Sequence, residues 1–428
     1  MKTIGLDIGT TSVSAVVIHD GSLVESRCVE SKAFIASNNP WEKIQDPEKL
    51  CSIAEELCCE LLELHPDAER IGITGQQHGI VYLDKKGATL SPLYIWQDGR
   101  GDLPHDTQCS WASHIRQQTG HMVASGYGIV THIYNVAHSL VPAGAKVFCT
   151  INDLVAMRLA GLSRPVTDAT DACSIGLFDI RKKEFDESAL RKMGVDCQML
   201  PQVTEGCLGE FKKCKVYVAI GDNQASFIGA TLAAPGAVLV NIGTGSQISL
   251  HTPDYKCCKG LETRPFPDGG YLLVGATLCG GRAYAMLDSF FCDVVEMQTG
   301  ERPAHCYDAM KKAVESLAPE ACCPQISPLF QGTRENPALR GSIEGIDTSN
   351  FTPAHFIKGM LDGMARELKD MYSLCCDTAP RLLYASGNGV RLNSDLQKSL
   401  EMAFQCPLKL SQFNEEAAAG AALYASMR

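Results

Sequence analysis

The sequence predicts an α/β protein built from two related domains, and three observations carry that prediction. The stretch "DIGTTS" (Asp7–Ser12) near the start returns as "NIGTGS" (Asn241–Ser246) in the second half. Each copy sits between short apolar runs that read as strands. Between the copies, strand-like runs alternate with a helix-period run, which is the pattern of layered sheets and helices rather than of a bundle or a sandwich.

Taken in order, Thr3 to Leu6 and Val13 to His19 read as strands around the first turn, and Leu23 onward as a third. The Asp20-Gly21 pair between the second and third is a strong hairpin signal. From Leu50 to Leu64 the apolar residues Leu50, Ile53, Ala54, Leu57, Cys58 and Leu61 fall at helical spacing, giving one buried face. A strand from Arg70 to Thr74 follows and runs into the loop "TGQQHG". The stretch Gly206 to Lys215 is polar and contains glycine, so the domain boundary is expected there, with domains 1–215 and 216–428. Beyond it, "KVYVAIGD" reads as a strand ending on Asp222, and "AVLVNIGTGSQISLH" as strand, turn and strand. "RLLYASGNGVRLNSDLQKSLEMAF" reads as strand, glycine-rich loop and helix. The terminal "NEEAAAGAALYASMR" has the alanine-rich composition of a helix.

Composition narrows the function classes. The 428 residues suit about two or three domains, and 45% hydrophobic with 20% charged residues is the balance of a globular protein with a large core. A formal charge of −11 argues against a nucleic-acid or acidic-membrane surface. Met1-Lys2-Thr3 leads straight into a strand, unlike a signal peptide. No run approaches the roughly 18 apolar residues of a membrane span, so a cytoplasmic protein is expected. Twenty cysteines include four adjacent pairs but no Cys-x-x-Cys, which disfavours a zinc ribbon or a thioredoxin-like site. A chain of this length needs no disulfide scaffold. The cysteines are therefore expected as reduced thiols packed as small apolar groups.

The two turns suggest chemistry. A strand entering Gly-Thr-Thr-Ser and leaving as a second strand can aim backbone N–H groups at an anion, with hydroxyls as further donors. Two such turns opening two similar halves suggest domains that face each other and hold a polyphosphate between them. Two carboxylates beside the same phosphates would repel them, whereas one can hold Mg²⁺. Asp7 is then the metal ligand, and Asn241 keeps the turn while dropping the charge. Other candidate residues stay open on this reading. Asp222 at a strand end suits a helix N-cap as well as a catalytic carboxylate. His78 suits a solvated loop, Trp96 suits a core position, and Arg100 suits a partner for Asp98.

The repeated turn, with Asp in the first copy alone, resembles the actin-like ATPase arrangement of two ribonuclease H-like domains around a central cleft. Four further stretches are similar to the FGGY carbohydrate kinases: "ITGQQHGIVYL" (73–83), "YIWQDGR" (94–100), "PVTDATDACSIGLFDI" (165–180) and "VAIGDNQASFIGA" (218–230). The resemblance is collinear and covers essentially the whole chain. Within the family, the sedoheptulokinase branch is similar in "WQDGR", "ASGYGIVTH" (124–132), "TINDLVAMRLAGL" (150–162) and "GATLCGGRAYAML" (275–287). The xylulokinase branch shares "GQ-x-HG", "TDAT" and "GD-x-QA".

The resemblance implies an enzyme that uses ATP and Mg²⁺ to phosphorylate a hydroxyl of a small sugar, a ketose such as sedoheptulose or, next, xylulose. It implies Asp222 as the catalytic base and, with Asp7, a metal ligand. Gln77 (where the family often has Met), His78, Trp96, Asp98, Arg100 and Asn223 would meet the sugar. Gly9, Thr10, Thr11 and Ser12 would form the first phosphate loop, and Gly243, Thr244 and Gly245 would wrap the β- and γ-phosphates. Gly387 and Asn388 would bind the nucleoside, and Asn393 the adenine. A glycine loop before a helix is also a common structural turn. "GTRENPALRG" (332–341) resembles another family stretch, but Thr333 stands where Glu is usual, and no role is assigned to it. No nucleic acid or membrane partner is implied, and a homodimer is among the assemblies the resemblance allows. The chain is somewhat short for the family.

Two other classes compete. An actin-like nucleotide switch needs no polyol pocket, so "GQQHG" and "WQDGR" speak against it. A sugar-sensing regulator would not need both Asp7 and Asp222, and no helix-turn-helix precedes Thr3 in this sequence.

Overall fold

The computed structural model describes residues 1–318, 320–333 and 336–428. The chain begins as the antiparallel meander that its patterning dictates. Strands β1 (Lys2–Ile8) and β2 (Ser12–His19) pair with Asp7 opposite Ser14 and Ile8 opposite Val13. Asp20 and Gly21, both at positive φ (49° and 79°), close the hairpin to β3 (Ser22–Glu30), as a tight hairpin turn requires. The helix Pro47–Leu64 is capped by the Asp46 carboxylate, which accepts from the Glu48 and Lys49 amides. Its buried face (Leu50, Ala54, Leu57, Leu61) joins Ile4, Leu6, Ile8 and Val13 in one core.

From that helix the chain returns as β4 (Ala68–Gly75), parallel to β1 with Thr74 beside Asp7. Two strands added much later, β5 (Cys207–Phe211) and β6 (Cys214–Tyr217), complete a sheet of order β5-β6-β4-β1-β2-β3, with β6 parallel to β4. The polar stretch expected to be a linker is thus a hairpin on the sheet edge. Glu210 on β5, Lys212 and Lys213 in the turn and Lys215 on β6 are exposed, while Cys214 is buried.

Consequently the compact units divide elsewhere than at 215/216. One unit comprises Met1–Ala233, Arg264–Gly270 and Phe413–Arg428; the other comprises Ala234–Thr263 and Tyr271–Gln412. Asp222 therefore belongs to the first unit, as does the C-terminal helix Glu416–Ser426. That helix is rich in Ala and Gly because it lies directly on backbone. A Cβ on Gly72 would stand 1.9 Å from the Ala421 carbonyl oxygen, and one on Gly420 would stand 1.7 Å from that of Ala225.

In the second unit, β7 (Ala237–Ile242) and β8 (Ser246–Thr252) form the second hairpin, and β9 (Tyr271–Thr277) pairs antiparallel with β8. The strands β10 (Leu382–Ser386) and β11 (Leu408–Leu410) extend the other side in parallel. Each unit thus carries a three-strand antiparallel meander whose first strand is continued by two parallel strands, the ribonuclease H-like order. The sheet packs Val238, Val240, Ile242 and Ile248 against Leu361, Met364 and Leu368 of the helix Pro353–Ser373. Among the described residues, no helix is long and apolar enough to cross a membrane.

Candidate active site

In the first unit, parallel strands β1, β4 and β6 deliver functional groups to one sheet end, where such folds place their ligands. The first turn is held from behind by side chains that the sequence did not single out. Gln45 Nε2 donates to the Thr10 carbonyl at 2.6 Å, and Gln76 Nε2 donates to Gln45 Oε1 at 2.8 Å. The Gln76 amide donates to the Ile8 carbonyl at 2.9 Å and the Ser31 amide to that of Thr11 at 2.8 Å. Thr10 Oγ1 donates to Gln76 Oε1 at 3.3 Å and accepts from Trp96 Nε1 at 3.0 Å. Gly9, Thr10 and Ser12 are partly exposed and Thr11 is exposed.

Asp222 is the first residue of the helix Asp222–Thr231, whose N-cap is Gly221. Its carboxylate is therefore not the cap, and it stands where the helix dipole favours negative charge. A Cβ on Gly221 would come within 2.2 Å of Gln77 Nε2 and 2.6 Å of Gln224 Oε1, so a side chain there would displace both glutamines. The Gly221 amide donates to Thr170 Oγ1 at 2.9 Å, and Thr74 Oγ1 donates to the Ile220 carbonyl at 2.7 Å, which pins the segment to β4. Asn223 Nδ2 donates to Asp222 Oδ1 at 2.7 Å. Burial raises the Asp222 carboxyl above the usual range, opposed by Arg264 and Asn223. Burial, then repulsion from Asp222 and Glu415, pushes Asp7 to about 7. Two mutually repelling carboxylates are a donor set that fits a hard divalent cation.

Around them lies a layer of carboxylates that the sequence reading passed over, although it quoted their motifs. Asp171 accepts from Asn152 Nδ2 at 3.2 Å, and burial with Asp153 nearby raises it well above the usual range. Burial likewise raises Asp153 to about 7 and Asp168 to about 6. The legible signal was the density of Asp in "TINDL" and "TDATDA".

The structure treats the proposed sugar residues unequally. His78 sits at φ 70°, and its Nδ1–H donates to the Ser174 carbonyl at 2.8 Å while its ring lies 4.3 Å from that of Tyr127. Trp96 is 47% exposed, not core. Gln77 is buried, with Nε2 donating to the Thr170 carbonyl at 3.0 Å.

Asp98 and Arg100 depart from expectation. Arg100 is 1% exposed, and Nε donates to Asp98 Oδ1 at 2.6 Å. Its remaining donors go to Asp98 Oδ2, Glu42 and Asn135, and its guanidinium lies 4.2 Å from the Tyr94 ring centroid. The Asp98 carboxylate accepts in addition from the Lys43 and Arg100 amides. Four of the five guanidinium N–H groups are engaged and the Asp98 carboxylate accepts four hydrogen bonds, so the pair braces the loop that carries Trp96.

In the second unit, Ile242 pairs with Ser246, leaving three residues (Gly243, Thr244, Gly245) in a turn one residue tighter than the first. The Gly281 and Arg282 amides, at the start of the helix Gly281–Thr299, donate to the Gly243 and Thr244 carbonyls at 2.9 and 3.1 Å. Asn241 Nδ2 donates to Ser386 Oγ at 2.8 Å. Gly387, at φ 87°, is required for packing, because a Cβ there would lie 2.5 Å from the Ile242 carbonyl oxygen. Asn388 and Asn393 line a cavity of about 360 Å³ together with Tyr284, Tyr307 and Lys311. The rings of Tyr284 and Tyr307 are nearly parallel, at 9° and 5.7 Å between centroids. Asn393 also caps the helix Ser394–Phe404, its oxygen accepting from the Asp395 and Leu396 amides. Its side chain also hydrogen-bonds the Tyr284 hydroxyl at the wall of the cavity. Two residues of the 332–341 loop, Arg334 and Glu335, lie outside the described residues.

Comparison with known proteins agrees with this geometry. The model for the FGGY family of carbohydrate kinases, N-terminal domain, matches residues 2–229, and that for the C-terminal domain matches 238–428. The sedoheptulokinases of Mus musculus and Homo sapiens are each 27% identical over 98% of this chain and 96% of their own. The xylulose kinase of Bacillus subtilis is 24% identical over 99% of this chain and 87% of its own. Among solved structures, xylulose kinase from Rhodospirillum rubrum superposes with a TM-score of 0.83 at 22% identity, over 100% of this chain and 90% of that one. Glycerol kinase from Plasmodium falciparum with ADP gives 0.78 at 18% identity, over 100% and 89%.

Proposed function

Because the chain belongs to the FGGY family of carbohydrate kinases, and so is an ATP-dependent sugar kinase, we propose that its acceptor is a ketose, sedoheptulose before xylulose. The names carried by its full-length relatives support that order. The observation that carries the catalytic assignment is the carboxylate of Asp222 at its helix start, raised by burial and influencing Asp7 directly.

Asp222 accepts the proton of the attacking hydroxyl, and a carboxylate raised towards neutrality is better matched to that work than an ordinary one. Asn223 orients the carboxylate through the 2.7 Å hydrogen bond to Oδ1 and a second from its backbone amide. The Ser174 carbonyl takes Nδ1–H of His78 and so fixes how the ring is presented to a sugar hydroxyl. Trp96 supplies an apolar wall and, through Thr10, ties the sugar side to the first phosphate turn. Asp7 and Asp222 are the residues that would hold Mg²⁺, which neutralises phosphate charge when bound. In the second unit, the Gly243–Gly245 turn would take phosphate oxygens, and the Tyr284–Asn388 cavity the nucleoside.

The experiment is ADP release from ATP with sedoheptulose, xylulose, ribulose and glycerol offered separately. Sedoheptulose should give the highest kcat/KM. A clear preference for another sugar would overturn the acceptor, and slow hydrolysis indifferent to every sugar would overturn kinase turnover by this chain.

A further inference from the structure

The sequence reading tested zinc only through the Cys-x-x-Cys spacing, which is missing here. A different donor set stands on the loop after Asp102. Among the described residues, His105, Cys109 and His114 are the one group of three whose ligand atoms all lie within 4.8 Å of one another. The sequence between them, "HDTQCSWASH", folds as a closed turn followed by a helix. The His105 amide donates to the Cys109 carbonyl at 2.9 Å, and Pro104 bridges to Ser110. Asp106 Oδ1 accepts from the Gln108 and Cys109 amides at 2.8 and 2.9 Å, so the turn is fixed from within. Ser110 then caps the helix Trp111–Thr119, whose first turn delivers His114 back over His105. The two imidazoles stack at 3.8 Å and 13°.

We propose that His105, Cys109 and His114, with Asp106 Oδ2 as fourth ligand, form a binding site for a borderline-soft divalent ion of the Zn²⁺ class. Thiolate plus imidazole selects such an ion over Mg²⁺ or Ca²⁺. The spacing fits the ion as well. Asp106 Oδ2 lies 3.2 Å from His105 Nδ1 and 3.7 Å from Cys109 Sγ. Bonds of about 2.0–2.3 Å in a tetrahedron put ligand atoms roughly 3.3–3.8 Å apart. His114 must swing out of the stack to complete the set, a side-chain rotation on a partly exposed surface. Metal binding would displace the Cys109 proton, since the thiolate is the ligand. Four protein ligands make this a closed, structural site and not a catalytic one. Its position gives it something to hold: Trp111 packs edge-on to His105 and to Tyr134, and Tyr134 faces Arg100, the brace of the Trp96 loop.

The test uses the full chain, dialysed against a chelator and then titrated with Zn²⁺ in competition with a chromophoric chelator, and separately with Co²⁺. The expected result is one tight equivalent of Zn²⁺, a raised Tm on binding, and a Co²⁺ adduct with a thiolate charge-transfer band and intense tetrahedral visible bands. Cys109→Ser should abolish the charge-transfer band, and both it and His114→Gln should weaken the tight equivalent by more than the ~10–100-fold that loss of an outer-shell partner costs. Metal-free melting of each variant, matched to the parent, shows that folding is not the cause. Absence of a tight equivalent overturns the site. So does one that survives both substitutions, which would place the metal on other cysteines.

Discussion

Trp96 donates its indole N–H to Thr10 Oγ1 at 3.0 Å, joining the loop proposed for the sugar to the turn proposed for phosphate. Trp96→Phe keeps an aromatic wall and deletes that bond. A neutral hydrogen bond is worth about 0.5–1.5 kcal/mol net, so KM for ATP should rise roughly 2–10-fold in this variant. Steady-state kinetics with either substrate varied would check this. If KM for the sugar alone moves, the bond does not transmit to the phosphate turn.

Asp222→Asn should lower kcat by at least ~10² while leaving sugar and nucleotide binding largely intact, because the amide is nearly isosteric but accepts no proton. Its companion Asp7→Asn should instead raise KM for Mg²⁺–ATP by about tenfold or more, the cost of one charge-assisted contact. Turnover of Asp222→Asn within a few-fold of the parent would remove Asp222 as the base. A collapse of sugar affinity in Asp7→Asn would move Asp7 away from the metal.

The half-buried Asp7 and the buried Asp153 and Asp168 also set a pH dependence of stability in the ligand-free protein. Asp7 and Asp153 are raised to about 7 and Asp168 to about 6 from ordinary values near 3.8. Between about pH 4 and 7 the unfolded chain has lost these protons and the folded chain keeps them, so stability falls as pH rises through that window. Thermal melts should therefore show Tm decreasing from pH 5 to pH 8. Asp7→Asn should melt several degrees above the parent at pH 8 and equal to it near pH 4. A flat or rising Tm in the parent would show that the carboxylates are compensated in the fold.

Much of this was legible because local patterns were strong. The Gly/Thr turns, the helix around Leu57 and the strand and helix flanking Gly387 formed where apolar period and glycine placed them, although Asn388–Arg391, read as loop, is a short helix. Three things were not legible, each for a physical reason. The 206–215 stretch looked like a linker because an edge strand exposes polar residues as a linker does, and only pairing with β4 through β6 distinguishes them. Arg100 was legible as a partner for Asp98, but sequence does not report that Tyr94, Tyr134, Glu42 and Asn135 also converge on it. Gln76 lies in "GQQHG", but neither that motif nor the residues around Gln45 report the hydrogen bond between them that supports the first turn.

Arg100→Ala tests the second of these. Removing one partner of a buried ion pair leaves Asp98 uncompensated, at a cost of about 3–5 kcal/mol. The variant should lose stability by that order, measured by denaturant unfolding, and lose activity in proportion to its unfolded fraction. Full stability with a specific rise in KM for the sugar would return Arg100 to the substrate.

The difference between the two turns makes the last prediction. Asn241 gives its amide hydrogen to Ser386 Oγ at 2.8 Å. In Asn241→Asp the Ser386 hydroxyl can instead donate to the carboxylate, so the turn and β10 should stay joined and the fold intact. What changes is charge. A second carboxylate about 5 Å from bound phosphate, at an effective dielectric near 20, opposes each unit of phosphate charge by ~3 kcal/mol before screening. Salt and the metal reduce that, leaving an expected rise in KM for Mg²⁺–ATP of roughly 10–100-fold, larger at low ionic strength than at high. Asn241→Ser, which drops the amide without adding charge, should show a small, salt-independent change. Equal nucleotide affinity in the parent and in Asn241→Asp across ionic strength would mean that Asn is kept there for the Ser386 bond and not to spare the phosphates a second negative charge.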